Sequence, residues 1–244
     1  MNKIFVFSGT GNSLKCAYLL QEQLQETEIV LITSKNIVSQ IECDTFILIF
    51  PIYAYDVPSI IEEFLKKSII KAKYISVLVT YGSTCGPTYQ IIKRLLPLNY
   101  FNKIKSIENF QSIFPFPKEK KINKIKKETQ IKINSIALDI KEEKKFHIKS
   151  FYFLTFIPRH LYNLFKKTKL FTNKTNKKCT LCGLCQRICP VQAIQQKDKV
   201  VFDNKKCLHC QRCVAYCPLK AINFLLVTNK TKRYHNLEIE IKDF

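Results

Sequence analysis

The chain contains no tryptophan and a single methionine among its 244 residues. No stretch approaches the roughly 20 uninterrupted apolar residues that cross a bilayer. Its opening, Met1 to Gly9, lacks the apolar region and small-residue cleavage site of a secretory signal. A soluble, cytoplasmic protein is expected. Two nucleotide fingerprints are also missing: the G-x-G-x-x-G run for a dinucleotide pyrophosphate, and a Walker lysine behind a small-residue loop. Acidic side chains are scarce, 19 against 40 lysines and arginines, for a net charge of +21. Spread over one face, that charge would suggest nucleic acid. It is concentrated instead: +2 over residues 1–110, +13 over 111–178 and +6 over 179–244. A solvated lysine-rich surface explains the middle excess, and no nucleic-acid partner is expected.

Cysteine, by contrast, is abundant, and eight of the eleven fall into two patterned groups. Without an export signal such patterning points to metal ligation rather than disulfides. Cys179-x2-Cys182-x2-Cys185-x3-Cys189-Pro190 recurs 28 residues later as Cys207-x2-Cys210-x2-Cys213-x3-Cys217-Pro218. The repeat extends into Cys-Pro-Val-Gln-Ala-Ile at 189–194 and Cys-Pro-Leu-Lys-Ala-Ile at 217–222. Three thiolates on one tight loop cap three irons of a cubane, and the fourth, after x3, reaches the other cluster. Cys179, Cys182, Cys185 and Cys217 are then expected to hold one [4Fe-4S] cluster, and Cys207, Cys210, Cys213 and Cys189 a second. Zinc is the alternative, but a four-thiolate zinc site needs no third C-x2 step followed by x3-Cys-Pro. His209 inside the second motif reads as a surface residue. Cys16, Cys43 and Cys85 read as small buried apolar residues. Residues 177–226 resemble bacterial two-cluster ferredoxins, which implies a small α+β domain.

The first 110 residues alternate strand and helix patterns. Strands are expected at Lys3–Phe7, Glu28–Thr33, Thr45–Phe50, Tyr74–Tyr81 and Ile104–Phe114. Helices are expected at Ser13–Gln25, Pro58–Ser68 and Pro87–Leu96. A fourth at Lys118–Lys145 carries a stripe of Ile122, Ile125, Ile133, Ile136 and Ile140, with Thr129 in its gap. This alternation argues for a doubly wound parallel sheet of five strands. Between the first strand and helix lies Ser8-Gly9-Thr10-Gly11-Asn12-Ser13, whose hydroxyls and N–H groups can cradle a phosphate. Ligands of such sheets sit beyond the carboxyl ends of the strands, where Pro51, Tyr53 and Tyr55 follow the third strand and Tyr81, Gly82 and Ser83 the fourth.

Together these loops, over residues 1–145, resemble the phosphate loop and the two flavin-contacting loops of flavodoxins. The resemblance implies bound FMN, its phosphate at residues 8–13 and its ring near Tyr53, Tyr55 and the 81–86 backbone. Without tryptophan, stacking rests on tyrosine. The whole chain resembles flavodoxin and ferredoxin fusion proteins: a flavodoxin-like domain at 1–146, a basic aromatic linker at 147–176, a ferredoxin domain at 177–226 and a tail at 227–244. The linker, with Phe151, Tyr152, Phe153, Phe156, Tyr162, Phe165 and Phe171, suits packing between domains better than a membrane surface. The resemblance implies electron transfer between clusters and FMN; without a nicotinamide fingerprint the external donor or acceptor is expected to be another protein or a small molecule, and the basic surface favours an acidic redox protein. The alternative is a redox-sensing or binding protein whose flavodoxin-like domain holds no flavin.

Overall fold

A computed structural model of the chain describes residues 1–83, 85–110, 116–147, 160, 161, 164, 173–224 and 232–244. Most of the linker, at 148–159, 162, 163 and 165–172, lies outside the described residues.

Strands β1 (Asn2–Val6), β2 (Thr27–Leu31), β3 (Gln40–Pro51), β4 (Ile69–Tyr81), β5 (Tyr100–Lys105) and β6 (Phe146–His147) form one parallel sheet in the order β2-β1-β3-β4-β5-β6. The first five follow the flavodoxin-like order 2-1-3-4-5. The sixth, two residues long, pairs with Tyr100 and Phe101 and extends the expected sheet by one edge strand. The fifth strand was expected at 104–114 but runs from 100 to 105. Its first half was obscured by Asn102, a polar residue buried there because its amide hydrogen-bonds to the Tyr100 hydroxyl at 2.6 Å.

Alternation along the strands divides the core. Ile4 and Val6 face helices α1 (Asn12–Gln21) and α4 (Glu119–Lys141), where Leu14, Ala17, Leu20, Ile133, Ile136 and Ile140 are buried. Thr129 fills the gap in the α4 stripe by donating its hydroxyl to the Lys105 carbonyl at 3.1 Å. Phe5 and Phe7 face the opposite side and helices α2 (Ser59–Lys67) and α3 (Thr88–Leu95). There Phe5 packs on Phe46 and Phe64 at ring separations of 5.2 and 5.3 Å, each ring worth about 1.5–3 kcal/mol by burial. Cys16 and Cys85 are buried as expected, and Cys43 is half-buried.

Residues 173–224 form a smaller unit whose backbone repeats as the sequence does. Helices Leu184–Arg187 and Arg212–Ala215, and strands Ile194–Gln196 and Ile222–Phe224, are 28 residues apart. Left-handed backbone recurs at the same offset, at Leu181 and His209, Gly183 and Gln211, Gln192 and Lys220. Antiparallel pairing of 194–196 with 200–202, and of 222–224 with 173–175, completes the unit. Among the described residues no helix is long and apolar enough to cross a membrane.

Candidate cluster ligands and phosphate loop

The turn geometry folds each cysteine loop back on itself and sends its fourth cysteine to the other loop. Cys179, Cys182, Cys185 and Cys217 line one cavity of about 30 Å3 with Leu181, Leu184 and Pro218. Burial pushes the Cys185 thiol up to about 11; the Gln186 N–H opposes this, and Cys179, Cys182 and Cys217 add to it. In the second group, burial pushes Cys207 up to about 12, reinforced by Cys210 and Cys189, and raises Cys213 well above the ordinary range. The first expected set of four therefore lines one cavity, and Cys189, Cys207 and Cys210 act together on the buried Cys213.

N–H groups are directed at the sulfurs: Ala193 to Cys189 at 3.3 Å, Ala221 to Cys217 at 3.2 Å and His209 to Cys207 at 3.4 Å. The Asn173 amide points at Cys213 from 3.7 Å. N–H groups directed at Cys189, Cys207 and Cys217 suit thiolates that share their charge with a cationic iron–sulfur core. Among the described residues no three His, Cys, Asp or Glu side chains converge closely enough for a single metal ion. A cubane does not require that convergence, since each thiolate holds a different iron. His209 is not at the surface: it is buried, with its ring 5.4 Å from that of Phe224.

The exposures of the two groups differ. Cys182 is exposed, whereas Cys213 is buried and the second loop faces the sheet domain. There the Cys210 carbonyl abuts Gly9, leaving no room for a side chain at that position, and the Tyr53 hydroxyl closes the same space. Arg212, only 3% exposed, donates to the carbonyls of Ser8, Gly9 and Ile188, and its guanidinium lies 3.9 Å from the Phe244 ring centre. Asn236 donates its backbone N–H to the Thr10 carbonyl at 2.8 Å. The loop's carbonyls are thus held from behind. None of the described hydrogen bonds is donated by the backbone N–H groups of residues 8–11.

Those residues border a cavity of about 40 Å3 with Asn12, Ser13, Pro51, Tyr53, Thr80, Tyr81, Gly82, Glu108 and Asn109. Ser8 Oγ is buried there without a hydrogen-bond partner. The Thr10 hydroxyl accepts from Asn109 at 2.7 Å, and Ser13 Oγ lies 2.8 Å from Thr80 Oγ1. Free N–H groups and an orphaned hydroxyl suit the phosphate end of a nucleotide.

The ring end is different. Tyr53 and Asp56 exchange backbone hydrogen bonds of 3.1 and 2.9 Å across a tight turn whose central residues, Ala54 and Tyr55, have φ of 48° and 68°. This left-handed backbone without glycine costs about 1–3 kcal/mol per residue. The backbone of Tyr55 abuts Gly86, and the Glu108 carboxylate abuts Gly82. Tyr53 borders the cavity but packs edge-on against Phe7 at 6.1 Å. As these loops stand, the cavity is far below the several hundred Å3 usual for small-molecule sites. Pro51 borders the cavity, whereas Tyr55 and the exposed Ser83 are not among its lining residues. Thr80, Glu108, Asn109, Arg212 and Asn236 were not expected from the sequence, since none belongs to a spaced motif.

Residues 178–221 match the family described as the 4Fe-4S dicluster domain. Comparison with curated proteins gives no match. Among solved structures, a Bacteroides eggerthii protein described as a putative flavoprotein is 19% identical, with 43% of this chain and 86% of that one covered at a TM-score of 0.36. A Bacteroides uniformis protein described in the same words gives 15%, 44%, 91% and 0.36. A flavodoxin from the domain Archaea gives 15%, 57%, 99% and 0.38. At such TM-scores the fold rests on the strand order, not on these neighbours.

Proposed function

We propose that the chain is an electron-transfer protein in which two [4Fe-4S] clusters exchange electrons with FMN. Cys179, Cys182, Cys185 and Cys217 hold one cluster, and Cys189, Cys207, Cys210 and Cys213 the other. The observation that carries this reading is the contact of the Cys210 carbonyl with Gly9, beside the Tyr53 hydroxyl: the second cysteine loop abuts the candidate phosphate loop. Bound FMN would supply a centre able to hold one or two electrons beside single-electron clusters. Ser8 Oγ and the N–H groups of residues 9–11 donate to its phosphate, while Arg212 and Asn236 hold the loop in the donating orientation. The external partner is an acidic redox protein, steered by the basic surface.

A specific observation favours a second reading. The Tyr55–Gly86 and Glu108–Gly82 contacts close the space between the loops after β3 and β4, as in a sensing or binding protein without flavin. Protein purified without oxygen and assayed for iron, acid-labile sulfide, zinc and flavin separates the two. About eight irons per chain with one FMN are expected. Eight irons without flavin select the second reading, and zinc in place of iron overturns both.

A further inference from the structure

The sequence repeat makes the two cysteine loops alike in backbone but not in charge. Between the second and third cysteines, the first loop carries Gly183-Leu184 and the second Gln211-Arg212. Leu184 packs among Ile188, Ala215 and Tyr216. Arg212 instead places a guanidinium, 3% exposed, beside the second group of thiols; it bonds the Ile188 carbonyl next to Cys189 at 2.9 Å and is covered by the Phe244 ring. Its three acceptors are neutral carbonyls, so its positive charge is not cancelled by a carboxylate among them.

We propose that Arg212 tunes the reduction potential of the cluster held by Cys189, Cys207, Cys210 and Cys213, making it inequivalent to the exposed one. The inference rests on the iron–sulfur reading above. Each cluster gains one negative charge when it accepts one electron from an external reductant. Burial alone disfavours that added charge, and a fixed cation in a poorly screened site offsets it. The Asn173 amide near Cys213 acts in the same direction.

The test is a mediated potentiometric titration of the fully loaded protein, followed by electron paramagnetic resonance, with iron and sulfide counted in each sample. Arg212→Gln is expected to lower one reduction step by at least tenfold in its equilibrium constant, about 59 mV for one electron, and to leave the other in place. Arg212→Lys, which keeps the charge but not the fork of donors, is expected to leave both near their original values. Unmoved steps in the Gln variant, or equal shifts in the Gln and Lys variants, overturn the proposal, the latter by marking a purely structural role. Should the Gln variant lose iron, Phe244→Leu opens the guanidinium to water with its carbonyl bonds intact. A smaller fall of the same step then supports the inference, and an unmoved step overturns it. Failure to find about eight irons in the unaltered protein defeats the functional reading instead.

Discussion

Asn102 sits in the middle of a buried strand because Tyr100 and Asp139 build an acceptor for it. Its amide donates to the Tyr100 hydroxyl, which donates in turn to Asp139 at 2.7 Å, and Lys144 pairs with the same carboxylate at 2.9 Å. Tyr100→Phe strands the buried amide and is expected to cost about 1–3 kcal/mol in urea unfolding. Burial works against the Asp139 charge, but the hydrogen bonds from Lys144 and Tyr100 hold its pKa below the ordinary value. A carboxylate depressed in the folded state adds stability above its unfolded pKa, lost as pH falls through the folded one. Asp139→Asn should therefore flatten the acid limb of a stability-against-pH curve. The iron–sulfur character of residues 178–221 was legible in the sequence because the cysteine spacing repeats and is specific to cubane loops. The burial of His209 and of Arg212 was not, since both depend on what packs against them from elsewhere in the chain.

Residues 232–244 have the least expected role. The basic aromatic ending reads as a tail, yet its described part binds both units. The Tyr234 hydroxyl donates to Asn12 Oδ1 at 2.7 Å, Arg233 donates to the Val214 and Lys220 carbonyls, and Glu238 pairs with Lys15 and Lys126 at 2.9 Å each. Ile239 is buried in the core formed by α1 and α4. Ile239→Ala is expected to destabilise the protein by about 2–5 kcal/mol, read as a shifted urea midpoint with an unchanged slope. Helix α4 was legible because its apolar stripe keeps one period, whereas this segment has no period and takes its conformation from the surfaces it joins.

The two units meet through backbone and side chains together. Ser34 donates its N–H to the Pro190 carbonyl at 2.8 Å, Phe110 packs on Phe224 at 5.2 Å, and Gly9 touches Cys210. Gly9→Ala should leave each unit folded but force them apart, with faster limited proteolysis of the cysteine-rich segment at unchanged helix content. No sequence pattern marked this contact, because Gly9 already had a local reason to be small. The burial of one cysteine loop beneath the sheet domain and the exposure of Cys182 in the other also set an order of damage. Oxygen admitted to the loaded protein should dismantle the open cluster first and the covered one only after the units part, so iron release in air should follow two phases. On the proposed reading, the covered cluster is inserted before docking is complete, which makes maturation of this chain a sequence of events rather than a single equilibrium.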